Sequence, residues 1–140
     1  MNGNPVNAYK QTTVKTANQG QIIVMLYDEA IKQLDYAKQL IDDGTKQLDR
    51  VNNAICKAQD ILTELTVSLD FDQGGEMAQN LFSLYMFFNN QLTQANIEKD
   101  AKRLHQVRVF LGDLRQAWAQ ISSKVGNTSG TAARGLNISY

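Results

Sequence analysis

The chemistry open to this chain runs through one histidine, His105, one cysteine, Cys56, and the adjacent acidic pairs Asp28-Glu29 and Asp42-Asp43. A di-iron centre in a helical bundle needs inward glutamates and two Glu-x-x-His pairs. Here Lys102 stands three residues before the only histidine, so that centre is excluded. Histidine phosphotransfer needs one exposed helical histidine, usually followed after two residues by Lys-Gly. His105 is followed by Gln106, Val107 and Arg108; Arg108 can stand in for the lysine, but the glycine is missing. His105 adjoins Leu104 and reads as a surface or boundary residue, with phosphotransfer as the alternative. Cys56 adjoins Ile55 and reads as a small, semi-buried apolar residue; being the single cysteine, it forms no intrachain disulfide. Neighbours in sequence splay about 100° apart on a helix, so each acidic pair reads as a solvated face rather than an acid-base couple. There is no Ser-His-Asp set and no phosphate loop. The sequence carries no enzyme signature, no metal site and no cofactor site.

The elements that would position these residues are helical. Ile23, Tyr27, Ala30, Leu34, Ala37 and Ile41 alternate steps of 4 and 3, predicting a first helix from about Gln19 to Asp43. Asn18 and Gln21 are spaced as a capping box at its start. Gly20 weakens that start, and Gly44 ends the helix as a left-handed cap. With Thr45 as N-cap, a second helix from about Lys46 to Phe71 carries Leu48, Val51, Ile55, Ala58, Leu62, Leu65 and Leu69. Asp72-Gln73-Gly74-Gly75 reads as a turn. The third helix, about Glu76 to Asn96, uses Ala78, Leu81, Tyr85, Phe88, Leu92 and Ala95. The fourth, about Lys99 to Val125, uses Leu104, Val107, Leu111, Leu114, Trp118, Ile121 and Val125, and Gly126 ends it. Trp118 should be buried with its N–H bonded, and Asn96 should close the third helix. The fold class is all-α: an antiparallel up-down-up-down four-helix bundle with a short N-terminal arm or helical turn.

The 140 residues divide into an arm (1–17), the bundle (18–126) and a polar tail (127–140) expected to be poorly ordered. The 14 basic and 14 acidic residues balance, which argues against a nucleic-acid or membrane-surface binder. No apolar run approaches a membrane span, and MNGNPVNAYK has no apolar core of a secretory signal. A cytoplasmic protein is expected.

The informative feature is surplus apolar surface. Beyond its seam, the third helix carries Phe82 and Met86 on one flank and Leu84 and Phe87 on the other. Ile61 and Val67 on the second helix, and Val109 and Phe110 on the fourth, add to it. A wide core face accounts for Ile61 and Leu84. Phe82, Met86 and Phe87 together leave little of the third helix polar over two turns, as expected of a surface for an apolar helical partner. The partner-binding candidates are Tyr9 and Val14 in the arm, Tyr27 on the first helix, Ile61 and Leu65 on the second, and Phe82, Met86 and Phe87 on the third. The arm is expected to fold weakly over an apolar groove and to leave when a partner arrives.

Asn7-Ala8-Tyr9, Val14, Thr16-Ala17, Met25-Leu26-Tyr27-Asp28 and Ala30, in that order, resemble the flagellin-export chaperones of the FliS type. Ala95-Asn96 followed by Asp100, and Leu114-Arg115-Gln116-Ala117-Trp118, match later landmarks of that family; the resemblance spans about residues 4 to 124. Many relatives have proline in place of Gln19 and glycine in place of Glu29. The resemblance implies a bundle that binds the C-terminal segment of flagellin, keeps it from polymerising early and helps deliver it to the flagellar type III export gate. It implies no cofactor. Export-gate components are further expected partners, and the chain is expected to be a monomer or weak homodimer. A self-associating structural bundle is the remaining alternative.

Overall fold

The computed structural model describes residues 19–127, with side chains through residue 123. It contains α1 (Gln19–Asp42), α2 (Leu48–Val67), α3 (Phe71–Glu98) and α4 (Ala101–Asn127), and no strand among the described residues. Short connections turn each helix back on its predecessor. The helices close a ring in which α1 packs against α2 and α4, and α3 packs against the same two neighbours. The architecture is the expected four-helix bundle.

Side-chain size sets the spacing within the ring. Ala30 and Ala37 on α1 and Ala54 and Ala58 on α2 are buried, so α1 approaches its neighbours closely. The seam of α3 carries Leu81, Tyr85, Phe88 and Leu92, all buried, and these bulky groups hold its axis further out. Two ion pairs fix the register of α1 against α4. Arg115 donates to Asp28 at 2.7 and 3.3 Å, and Arg108 to Asp35 at 3.1 and 3.4 Å. Such exposed pairs contribute little to stability, but they are seven residues apart on both helices and so agree on one register.

The helix ends follow local chemistry. Gly44 has φ 72°, and the Gly44 and Thr45 N–H groups donate to the carbonyls of Ile41 and Leu40. That is the Schellman arrangement, and it requires a left-handed residue at Gly44. Helix α2 starts later than expected, after Gln47, while Thr45 Oγ1 accepts from the Gln47 N–H. Leu48, expected in the seam, is the first helical residue and lies exposed. Helix α2 also stops earlier, at Val67, because Asp70 accepts from the Asp72 and Gln73 N–H groups and starts α3. The expected turn at 72–75 is therefore a first helical turn, broken at Gly75, where φ is 53°. Asn96 does not close α3. The left-handed cap is Lys99, with φ 52°, after which Asp100 accepts from the Arg103 N–H and begins α4. Gly126 lies within α4 rather than ending it. Cys56 is exposed, not semi-buried, because it points away from the seam next to Asn52. The capping residue Asn18, the arm, the Val125 side chain and the tail beyond residue 127 lie outside the described residues.

Candidate partner-binding surface

Three buried aromatic side chains lock the core behind this surface. The Tyr27 and Tyr85 hydroxyls share a hydrogen bond of 2.6 Å across the bundle, from α1 to α3. The Trp118 N–H donates to the Tyr27 oxygen from α4. Burial, followed by the neighbouring Tyr85, pushes the Tyr27 phenol far above its ordinary range, so it stays neutral. Trp118 therefore has the buried position and bonded N–H expected of it. Tyr27, named as a partner-binding candidate, is fully enclosed instead. Its apolar ring follows the 3-4 seam, and its hydroxyl is used inside. Ile61 and Leu65 are likewise buried, because α2 turns a wide face to the core. Tyr9 and Val14 lie outside the described residues.

Phe82, Met86 and Phe87 are 40%, 44% and 49% exposed, while Phe88 between them and α4 is closed off entirely. They sit on the two flanks of α3. Toward α2, Gln59 donates to the Asn89 carbonyl and to Thr93 Oγ1, and Asn96 donates to Asn52 at 2.8 Å. Phe82 and Met86 continue that flank toward the start of α3, and Phe71 stacks edge-on against Phe82 with centroids 6.0 Å apart. Toward α4, Arg103 donates to Gln91 at 2.8 Å. Along that flank Phe87 and Phe110 both lean on Phe88, at 6.1 and 5.6 Å. Half-buried Leu84 and Leu114 pack against the core on the helices that border this second groove.

Helix α3 thus separates two apolar grooves. Polar cross-links hold their far ends, while exposed phenylalanines line the stretches nearer the start of α3. Each groove offers aromatic surface at helical spacing, with the Met86 thioether on the α2 side and Leu84 and Leu114 on the α4 side, which suits an amphipathic segment laid alongside. Phe71 and Phe110 complete the grooves and were not singled out as partner contacts. Phe71 falls at the end of the second helix by spacing, whereas in the structure it is the first residue of α3. Phe110 was visible as surplus, but its pairing with Phe87 through Phe88 depends on how α3 meets α4.

The remaining reactive candidates are dispersed. His105 is exposed on α4. Asp28 pairs with Arg115 and Glu29 with Gln33; Asp42 pairs with Lys38 and Asp43 with Gln39. Each member of the acidic pairs has its own partner, as expected from the splay. Among the described residues no three His, Cys, Asp or Glu side chains form a group able to hold a metal ion. No helix among them is long and apolar enough to cross a membrane.

Residues 2–125 match the family model described as flagellar protein FliS. Similar proteins include the flagellar secretion chaperone FliS of Bacillus subtilis, 34% identical over 84% of this chain and 85% of its own length. That of Salmonella typhimurium is 35% identical over 85% of this chain and 90% of its own. That of Vibrio cholerae is 32% identical over 87% and 91%.

Proposed function

We propose, from the premise that the chain belongs to the FliS family of flagellar secretion chaperones, that it binds the C-terminal segment of flagellin in the bacterial cytoplasm. In doing so it blocks premature polymerisation and assists delivery to the flagellar type III secretion apparatus, whose gate components are further partners. It acts by binding, without catalysis or cofactor.

The observation that carries this reading is the pair of apolar grooves flanking α3, with Phe71, Phe82 and Met86 exposed on one side and Phe87 and Phe110 on the other. Contiguous exposed apolar surface on a soluble bundle marks an interaction site. A client segment folded as short amphipathic helices sets apolar anchors, three or four residues apart, into each groove. Phenylalanines supply rigid contact area, and Met86 adapts to the shape of the client. The resemblance implies that this segment otherwise drives filament assembly, so holding it on the bundle keeps assembly from starting early. Tyr9 and Val14 act from the arm, which covers a groove in the free protein and is displaced by flagellin. Removing residues 1–15 then raises affinity a fewfold, by the fraction of molecules freed.

Calorimetry with full-length flagellin and with flagellin lacking its C-terminal segment tests the proposal. One-to-one binding is expected only for the first. Equal affinity for both proteins rules it out.

A further inference from the structure

The flank between α2 and α3 repeats every seven residues. Asn52, Gln59 and Thr66 share one stripe of α2, and Asn96, Asn89 and Phe82 share one stripe of α3. The two helices are antiparallel, so these positions meet as successive rungs about 10 Å apart. Polar bonds cross the first two rungs. Asn96 donates to Asn52 at 2.8 Å, and Gln59 donates to the Asn89 carbonyl at 3.3 Å and to Thr93 Oγ1 at 3.0 Å.

The same register sets the third rung at Thr66 and Phe82. Thr66 turns its hydroxyl onto the Leu62 carbonyl of its own helix at 2.7 Å, and Thr63 does the same with the Gln59 carbonyl at 3.1 Å. Phe82 has no hydrogen-bonding group, so it makes no polar bridge, and its ring stays 40% exposed. The groove is therefore bridged as far as Gln59 and open beyond it. Helix α2 continues for eight residues after Gln59, so the open stretch has two walls for about 12 Å, a little over two turns of a bound helix.

An apolar side chain pushed past Gln59 would break both of its bonds and leave their acceptors covered and unpaired, which is unfavourable. A polar side chain there can replace them. We propose that Gln59 is the stop that fixes the register of the client in this groove. A short amphipathic helix of the flagellin C-terminal segment lies between the start of α3 and the Gln59 rung. It sets apolar anchors on Phe82 and Met86 and a polar residue against Gln59. This rests on the flagellin reading above and adds to it the extent and register of the bound piece.

Methyl and side-chain amide spectra of the full chain, with and without a peptide of the flagellin C-terminal segment, test the stop, and calorimetry on the same samples reports binding separately. The Thr66 and Met86 methyl signals should shift on binding, while the Thr93 methyl and the Asn96 side-chain amide stay in place. Gln59→Thr continues the threonine stripe and breaks the second rung, so in that variant the Thr93 methyl should shift as well. A Thr93 signal that moves together with Met86 in the unaltered chain overturns the stop, whether or not the variant folds. So does a Thr93 signal that stays in place in folded, peptide-bound Gln59→Thr. Binding in calorimetry with Thr66 and Met86 unmoved also overturns it, because the client then lies outside this groove. No binding in calorimetry would instead overturn the flagellin reading, and the stop with it.

Discussion

Single side chains on this bundle fall into two kinds that differ in what their loss costs. Leu62 and Leu111 are enclosed, so Leu62→Ala or Leu111→Ala should lose about 2–5 kcal/mol to a cavity, measured by denaturant unfolding. Phe82, Met86 and Phe87 are 40–49% exposed, so each alanine variant should cost less than about 1.5 kcal/mol. At least one of the three should weaken flagellin binding in calorimetry; three variants that bind normally would move the site elsewhere. Tyr27 is a different case, because its hydroxyl is the partner of both Tyr85 and Trp118. Tyr27→Phe should cost about 1–3 kcal/mol by stranding buried polar groups. It should also change the pH profile. The folded phenol is raised above its ordinary value of 10.0. The stability tied to its neutral form is therefore complete below that pH and declines as pH rises past it, where only the unfolded phenol ionises. Unfolding of Tyr27→Phe should show less of this alkaline decline. An identical slope in both proteins would mean that Tyr27 is not the group responsible.

Among the elements, α3 is the one held least closely. Its bulky seam keeps it away from α2 and α4, and its first turn is broken at Gly75. Fewer close contacts mean cheaper local opening. Hydrogen exchange at the centre of α3 should therefore be faster than at the centre of α1, and uniform protection would contradict this. The caps differ too. Gly44 sits in a left-handed turn with two capping bonds, so Gly44→Ala should destabilise by about 1–2 kcal/mol. Lys99 occupies a similar backbone position without being glycine. It is held there by its ammonium group, which donates to the Asn96 carbonyl at 2.6 Å and to Asn96 Oδ1 at 2.7 Å.

At the scale of the whole molecule, α1 packs closely on both α2 and α4, and α3 lies between those two with a groove on each side. Binding of the flagellin C-terminal segment should bury these apolar stripes and give a negative heat-capacity change in calorimetry at several temperatures. A heat-capacity change near zero would point to a polar interface instead. His105 stands exposed and the acidic neighbours are separately paired.

Much of this was written in the order of residues. The 3-4 spacing specified four helices, because a helix brings such positions onto one stripe whatever surrounds it. The seam of α3, from Ala78 to Ala95, is the buried set of the structure without exception. The surplus of Phe82, Met86 and Phe87 was also legible, since one helix face holds only so many apolar residues. The 3-4 seams already place Tyr27 and Leu65 inside, as the structure has them, whereas Ile61 at the edge of a wide face could not be told from an exposed candidate by sequence. An apolar residue reads the same on either side of an interface, and burial depends on which helix lies opposite. Nor could it join Phe71 to Phe82 or Phe110 to Phe87, because these pairs lie on different turns or helices. The hydrogen bonds linking Tyr27, Tyr85 and Trp118 belong to the same class. They unite residues far apart in the chain, and only the packing of α1, α3 and α4 decides that their polar ends meet.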